Sequence, residues 1–202
     1  MKAAERRLSF YPYYPPMPKK SYFFFNLLLI VITICSCHSS KNALKNNEKT
    51  STPIHKVKLK GSIPAVRIDV GQTNADELVT YAEQFIGVRY VFGSIDPKKG
   101  FDCSGFLYYV FNRFGIKVPR TSEQYTNAGK ELDLSVSKRG DLILFTGSDP
   151  KSGKVGHIGI VVENKSGKIT FIHSASGGNK GICYSGIDKY FAERFVKIIR
   201  IF

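Results

Sequence analysis

Asp102-Cys103-Ser104-Gly105-Phe106 puts a cysteine at the expected start of a helix. Free backbone N–H groups and the positive end of the helix dipole stabilise a thiolate at such a position and lower the thiol pKa. The thiolate is the nucleophilic form, so Cys103 suits covalent catalysis. Taken alone, a cysteine is as often a small buried hydrophobe. Two histidines add to it: His157 in Gly156-His157-Ile158-Gly159-Ile160-Val161-Val162-Glu163, and His173 closing Lys168-Ile169-Thr170-Phe171-Ile172-His173. Both runs read as strands, and they flank Asn164-Lys165-Ser166-Gly167. With a three-residue loop, Asn164 to Ser166, Glu163 pairs with Gly167 and His157 falls directly opposite His173. Opposed Cβ atoms lie roughly 4.5–5.5 Å apart, within hydrogen-bonding range for two imidazoles. A four-residue loop pairs His157 with Ser174 instead and turns His173 to the other face.

Together these side chains read as nucleophile, general base and orienting group. His157 would take the thiol proton and later protonate a leaving amine. His173 would fix the tautomer of His157, as a carboxylate or amide does in other triads. A metal site is the rival reading of one cysteine and two histidines. It lacks short-range ligand spacing and an obvious fourth ligand, so neither a metal nor another cofactor is expected.

The elements that must carry these residues form one α+β domain. Asn74 is a plausible N-cap with Asp76 and Glu77 in the first turn. Leu78, Tyr81, Ala82, Phe85 and Ile86 recur at helical spacing, and Gly87 closes that helix. A second helix runs from about Cys103 to Phe114 and stops at Gly115, and Thr121 with Gln124 can form a capping box opening a short third one. Beyond Gly140 come four β-rich runs, 141–145, 155–163, 168–173 and 194–201. Helices first and strands after argue for an antiparallel sheet rather than βαβ winding. Gly140-Asp141 reads as a turn, not a catalytic acid. Cys183 reads as a small, at least semi-buried side chain, and both it and Cys103 are expected reduced in active protein.

In front of the domain, Tyr22 to Cys35 is an apolar block behind Lys19-Lys20, too short to span a bilayer comfortably and laid out like a secretory signal peptide. It ends in Ile34-Cys35-Ser36-Cys37, which resembles a bacterial lipobox with Cys37 as the lipidated residue, so residues 17–36 are the expected signal peptide. Pro12, Pro15 and Pro16 break any helix upstream, which makes Met17 the expected start and residues 1–16 an extension. Residues 37–72 are rich in Ser, Asn, Thr and Lys with sparse large apolar residues, and read as a basic flexible tether in which His38 and His55 are incidental. The domain then occupies 73–202. The formal charge of +14 invites a nucleic-acid reading, but residues 71–202 hold only 18 basic against 13 acidic residues. The excess lies in the export signal and tether, and fits attraction to an anionic envelope better than nucleic-acid recognition.

Residues 74–202 resemble the NlpC-type cysteine peptidases, papain-like enzymes that cut peptide stems of bacterial peptidoglycan. The matching segments are Gly87-Val88-Arg89-Tyr90-Val91-Phe92-Gly93, Phe101 to Phe106, Pro119-Arg120-Thr121-Ser122, Gly140 to Phe145, Gly156 to Val161, and Ile172-His173-Ser174-Ala175. The resemblance implies N-terminal helices packed on an antiparallel sheet, with Cys103 as nucleophile, His157 as base and His173 as third polar residue. It gives Tyr90 a site-lining role and implies that Asp102 and Ser104 line the subsite for the stem peptide's free amine and neighbouring carboxylates. Ser94 stands where the family has the second glycine of a pair, which bears on the shape of that loop. The expected molecule is a monomeric endopeptidase of the cell envelope, lipid-anchored at the periplasmic face of the outer membrane, with peptidoglycan stems as its partner. The alternatives are an acyltransferase or amidase using the same triad, and a catalytically idle wall-binding lipoprotein.

Overall fold

The structure, a computed structural model, describes residues 53–178 and 181–202. The signal segment, the Met17 start and the Cys37 lipidation site lie outside the described residues.

Asn74 caps α1 (Ala75–Glu83), its Oδ1 accepting the Asp76 N–H at 2.7 Å, and Asp76 and Glu77 lie at the positive end of the dipole. Leu78, Val79 and Ala82 form the buried stripe. The helix stops at Glu83 instead of reaching Ile86. Gln84, Phe85 and Ile86 bond carbonyls three residues back, which tightens the chain into Gly87 at φ 89°. A two-rung hairpin, β1 (Ile95–Asp96) with β2 (Gly100–Phe101), leads into α2 (Cys103–Arg113). The expected third helix is a 3₁₀ segment, Ser122–Asn127, opened by the capping box: Gln124 accepts the Thr121 N–H at 3.2 Å.

The sheet contains β3 (Lys130–Leu132), β4 (Leu142–Thr146), β5 (Val155–Lys165), β6 (Lys168–Ala175), β7 (Gly181–Gly186) and β8 (Phe195–Arg200). Their order is β3-β8-β4-β5-β6-β7, antiparallel throughout. Leu142, Leu144, Ile158, Ile160 and Ile172 share one core with α1 and α2. Ile143, Phe145, Val161 and Phe171 share a second with Phe191 of α3 (Lys189–Ala192). β4 is thus buried on both faces, which explains its unbroken apolar run.

The hairpin register differs from expectation. Lys165 pairs with Lys168, so the loop has two residues, Ser166 at φ 51° and Gly167 at φ 85°, the left-handed pair that matches strand twist. Carried down the strands, that turn would set His173 opposite Ile160, on the face away from His157. A bulge restores the face: Val161 pairs with Phe171 but Glu163 with Thr170, which leaves Val162 as the extra residue. Ile160 therefore pairs with Ile172, and continuing that register brings Gly159 opposite His173, where an added Cβ would lie 3.3 Å from His173 Cβ. His157 and His173 are diagonal neighbours on one face, not directly opposed.

Residues 53–72 are not a free tether. Val57 N–H bonds Phe195 O at 2.8 Å, Lys60 N–H bonds Gly153 O at 2.8 Å, and Asn127 Nδ2 bonds Ile63 O at 2.5 Å. Val57, Leu59, Val66 and Val70 pack on the first core, and Ile68 is buried in it. The packed body begins well before residue 73 because alternate apolar side chains have a surface to cover. His55 is exposed on this strap, as an incidental histidine would be.

Candidate active site

Cys103 is the first residue of α2, and the helix cap is Asp102, whose Oδ1 accepts the Gly105 N–H at 2.6 Å. Gly105 is needed for approach rather than conformation: a Cβ there would collide with Ser94 O. Cys103 is 9% exposed, with Sγ 3.3 Å from Ser122 Oγ and 3.9 Å from Gly156 O. Gly156 precedes His157, so α2 meets β5 at the expected place. The thiol and the His157 ring are not hydrogen-bonded to each other, contrary to the direct contact expected of a nucleophile and its base. Burial pushes the Cys103 thiol pKa up, and the Asp102 carboxylate adds to this, while Ser122 and the Ser104 and Ile158 amides pull it down. Desolvation therefore opposes the lowering of the thiol pKa that the residue pattern suggested for a helix terminus.

The two imidazoles are joined. His157 Nε2 lies 2.7 Å from His173 Nδ1, with the rings edge to face. Phe145, Phe171 and Phe191 surround them. His173 is 1% exposed while His157 keeps partial exposure. Burial lowers the pKa of both, and the neighbouring imidazole lowers His173 further. Burial thus favours the uncharged form of the thiol and of both rings. Since Nε2 of His157 is engaged, Nδ1 is the nitrogen left for a proton from outside the pair.

Asp102 and Ser104 are fully occupied by protein. Arg120 forks onto the carboxylate, Nη1 at 3.0 Å and Nη2 at 2.7 Å, and Ser104 Oγ sits between them, 3.3 Å from Asp102 and 3.1 Å from Arg120. Whatever meets this cluster meets a neutralised carboxylate. Tyr90 runs beside Phe101 and shares the electrostatic environment of Cys103 and Asp102; burial raises its pKa. Ser94 fits where a second glycine was expected because only Gly93, at φ 73°, needs the left-handed region. Ser94 O accepts the Asp102 N–H at 3.1 Å, and its Oγ accepts the Asp96 N–H at 3.2 Å.

Three site residues were not singled out from sequence. Ser122, Arg120 and Ser185 touch Cys103, Asp102 and His173 respectively, Ser185 Oγ lying 2.9 Å from His173 Nε2. Ser185 stands on β7 in Gly-Ile-Cys-Tyr-Ser-Gly, a short alternation framed by glycines that read as loop. Asp141 does form its turn, accepting the Lys138 N–H at 2.7 Å, and is also buried against Arg200 at 2.7 Å. Cys103 and Cys183 are free thiols. Among the described residues no cluster of three metal-ligating side chains occurs.

Comparison with known proteins agrees with this fold. Residues 87–200, more than half of the chain, match the NlpC/P60 family. The chain is 42% identical over 100 residues to gamma-DL-glutamyl hydrolase of Bacillus subtilis, covering 48% of this chain and 24% of that protein. It is 33% identical over 118 residues to murein DD-endopeptidase MepS/murein LD-carboxypeptidase of Escherichia coli, covering 57% and 56%. The chain thus spans from about a quarter to little more than half of these relatives. Among solved structures it superposes on an NlpC/P60 family protein from Bacillus cereus with TM-score 0.57 at 26% identity, covering 66% of this chain and 42% of that one. It superposes on the NlpC/P60 domain of peptidoglycan hydrolase SagA with TM-score 0.52 at 30% identity, covering 63% and 99%. The capped cysteine helix on an antiparallel sheet is the papain-like arrangement the sequence led us to expect, and the chain belongs to the NlpC/P60 family.

Proposed function

We propose that this domain hydrolyses amide bonds in the peptide stems of bacterial peptidoglycan by cysteine catalysis. The observation that carries the reading is a buried thiol at a helix start, beside the strand that presents a paired imidazole. The names of the relatives, a glutamyl hydrolase and a murein endopeptidase, supply the substrate class.

In the proposed mechanism His157 Nδ1 takes the Cys103 proton as sulfur attacks the scissile carbonyl carbon, forming the C–S bond and an oxyanion. The contact absent from the resting geometry is of the kind that tightens when substrate binds. The Cys103 amide, in the first turn of α2 and without an intrahelical acceptor, faces the oxyanion, and Tyr90 lines the same side. Collapse breaks the C–N bond, and the imidazolium returns its proton to the leaving amine. A water then gives a proton to His157 and attacks the thioester. The C–S bond breaks, the new carboxyl group leaves and the thiol is restored. His173 holds His157 in the accepting tautomer. Asp102, Ser104 and Arg120 form one wall of the substrate site, in which the buried Asp102 and Ser104 hold the partly exposed Arg120 guanidinium toward polar groups of the stem.

The chain acts in the cell envelope as a monomer, exported by residues 17–36 and lipidated at Cys37, at the periplasmic face of the outer membrane. Cys103→Ala should abolish cleavage of purified muropeptides, read by mass spectrometry, at unchanged melting temperature. Turnover retained by that variant rules the mechanism out. Cys37→Ser should move the protein from the membrane to the soluble fraction, and unchanged membrane association refutes the anchor.

A further inference from the structure

The imidazole pair does not end at His173. Its Nδ1 meets His157 Nε2 at 2.7 Å, and its Nε2 meets Ser185 Oγ at 2.9 Å. A neutral imidazole carries one N–H, so the role of one ring nitrogen fixes that of the other. The chain of hydrogen bonds has two polarities. In the first, His157 keeps Nδ1 bare and donates from Nε2 to His173, which donates from Nε2 to Ser185 Oγ. In the second, Ser185 donates, each proton sits on the opposite nitrogen, and His157 Nδ1 carries a proton. Only the first lets His157 accept a proton from Cys103, so a functional preference for it rests on the catalytic role proposed for His157.

The choice is made at the far end. A serine hydroxyl donates or accepts equally well, so the surroundings of His173 Nε2 decide. Here Cys183, two residues earlier on β7 and therefore on the same face, lies 3.8 Å from His173 Nε2, beside the Ser185 hydroxyl. A bare ring nitrogen has one lone pair and a thiol is a weak donor, so two side chains converging on Nε2 favour an N–H there that Ser185 Oγ accepts. In the first polarity the buried Nε2–H of His173 needs a protein acceptor, because an unpaired buried N–H is costly. We infer that Ser185, with Cys183 beside it at His173 Nε2, is a positioning residue that sets the tautomer of His173 and, through it, that of His157. Neither residue touches the reacting atoms.

Nitrogen-15 NMR of histidine-labelled protein at neutral pH reads the tautomers directly. The wild type should show pyridine-like Nδ1 and pyrrole-like Nε2 in both rings. Ser185→Ala should lose that uniform pattern and lower kcat roughly tenfold with little change in KM, far less than the loss when a triad's own orienting group imposes the wrong tautomer. Ser185→Thr keeps the hydroxyl and should restore both. Ser185→Ala combined with Cys183→Ala leaves no side-chain acceptor and should fall below either single variant. Wild-type tautomers in Ser185→Ala, or Ser185→Thr no better than Ser185→Ala, overturn the proposal. The tautomers are read without substrate, so they stand apart from the peptidase reading, which fails separately if Cys103→Ala keeps turnover.

Discussion

Ser122 decides how readily Cys103 ionises. Burial raises the thiol pKa, and the largest opposing influence is the Ser122 hydroxyl at 3.3 Å. A hydrogen bond to a charged group is worth about 1.5–3 kcal/mol, enough to matter against desolvation. Ser122→Ala should therefore slow alkylation of Cys103 by iodoacetamide at neutral pH by roughly tenfold. The pH–rate profile should move to higher pH, and an unshifted profile refutes the role. Gly159 acts at the same scale through volume. A Cβ there would lie 2.8 Å from Phe171 Cδ2 and 3.3 Å from His173 Cβ. Gly159→Ala should displace His173 from His157 and cut kcat, while a kcat equal to wild type shows that the strands can give way. Both residues act through contacts made by distant segments.

At the scale of elements, what was legible in the sequence was local. Asn74, Thr121 with Gln124, and the cysteine at the start of α2 announce themselves by capping chemistry that needs no partner. The two histidine strands were legible by alternation, and their shared face by parity. The route to that face was not. No glycine or proline stands at Val162 to mark a bulge, and the bulge exists because the sheet must bury Val161 and Phe171 together. β7 escaped notice because its glycines read as loop, and with it went Ser185. Composition alone reads the strap at 53–72 as tether, although Lys56-Val57-Lys58-Leu59-Lys60 alternates with the period of a half-covered extended chain. Burying one isoleucine such as Ile68 is worth about 1.5–3 kcal/mol, and Val57, Leu59 and Val66 add to it. A protein beginning at residue 73 should therefore melt markedly lower than one beginning at residue 53. Equal melting temperatures would show that the strap contributes nothing.

For the molecule as a whole, the burial of the imidazole pair links stability to pH. His173, which is 1% exposed, has its pKa pushed down to about 3 by burial and by His157. In the unfolded chain it takes up its proton near 6.5. Between these values the unfolded state binds more protons than the folded one, so stability is full above 6.5 and falls as pH drops. The slope is at most ~1.4 kcal/mol per pH unit for each histidine, and His157 adds a share discounted for its partial exposure. Glu83 and Glu131, whose pKa values are lowered by Arg139 and by Lys56 with Lys197, also lose stabilisation as pH falls. Their effect begins only near the ordinary value of 4.5 and lies below it. The interval from 4.5 to 6.5 therefore belongs to the histidines. Chemical denaturation of the wild type across that interval should show stability falling toward acid, and His173→Gln should flatten the fall whatever its effect on absolute stability. General repulsion among surplus lysines and arginines acts on both proteins alike, so the difference between the two slopes isolates the buried ring. Parallel slopes would mean that His173 is protonated in the folded state at mildly acid pH. The aromatic wall of Phe145, Phe171 and Phe191 would then not be dry enough to keep the relay neutral.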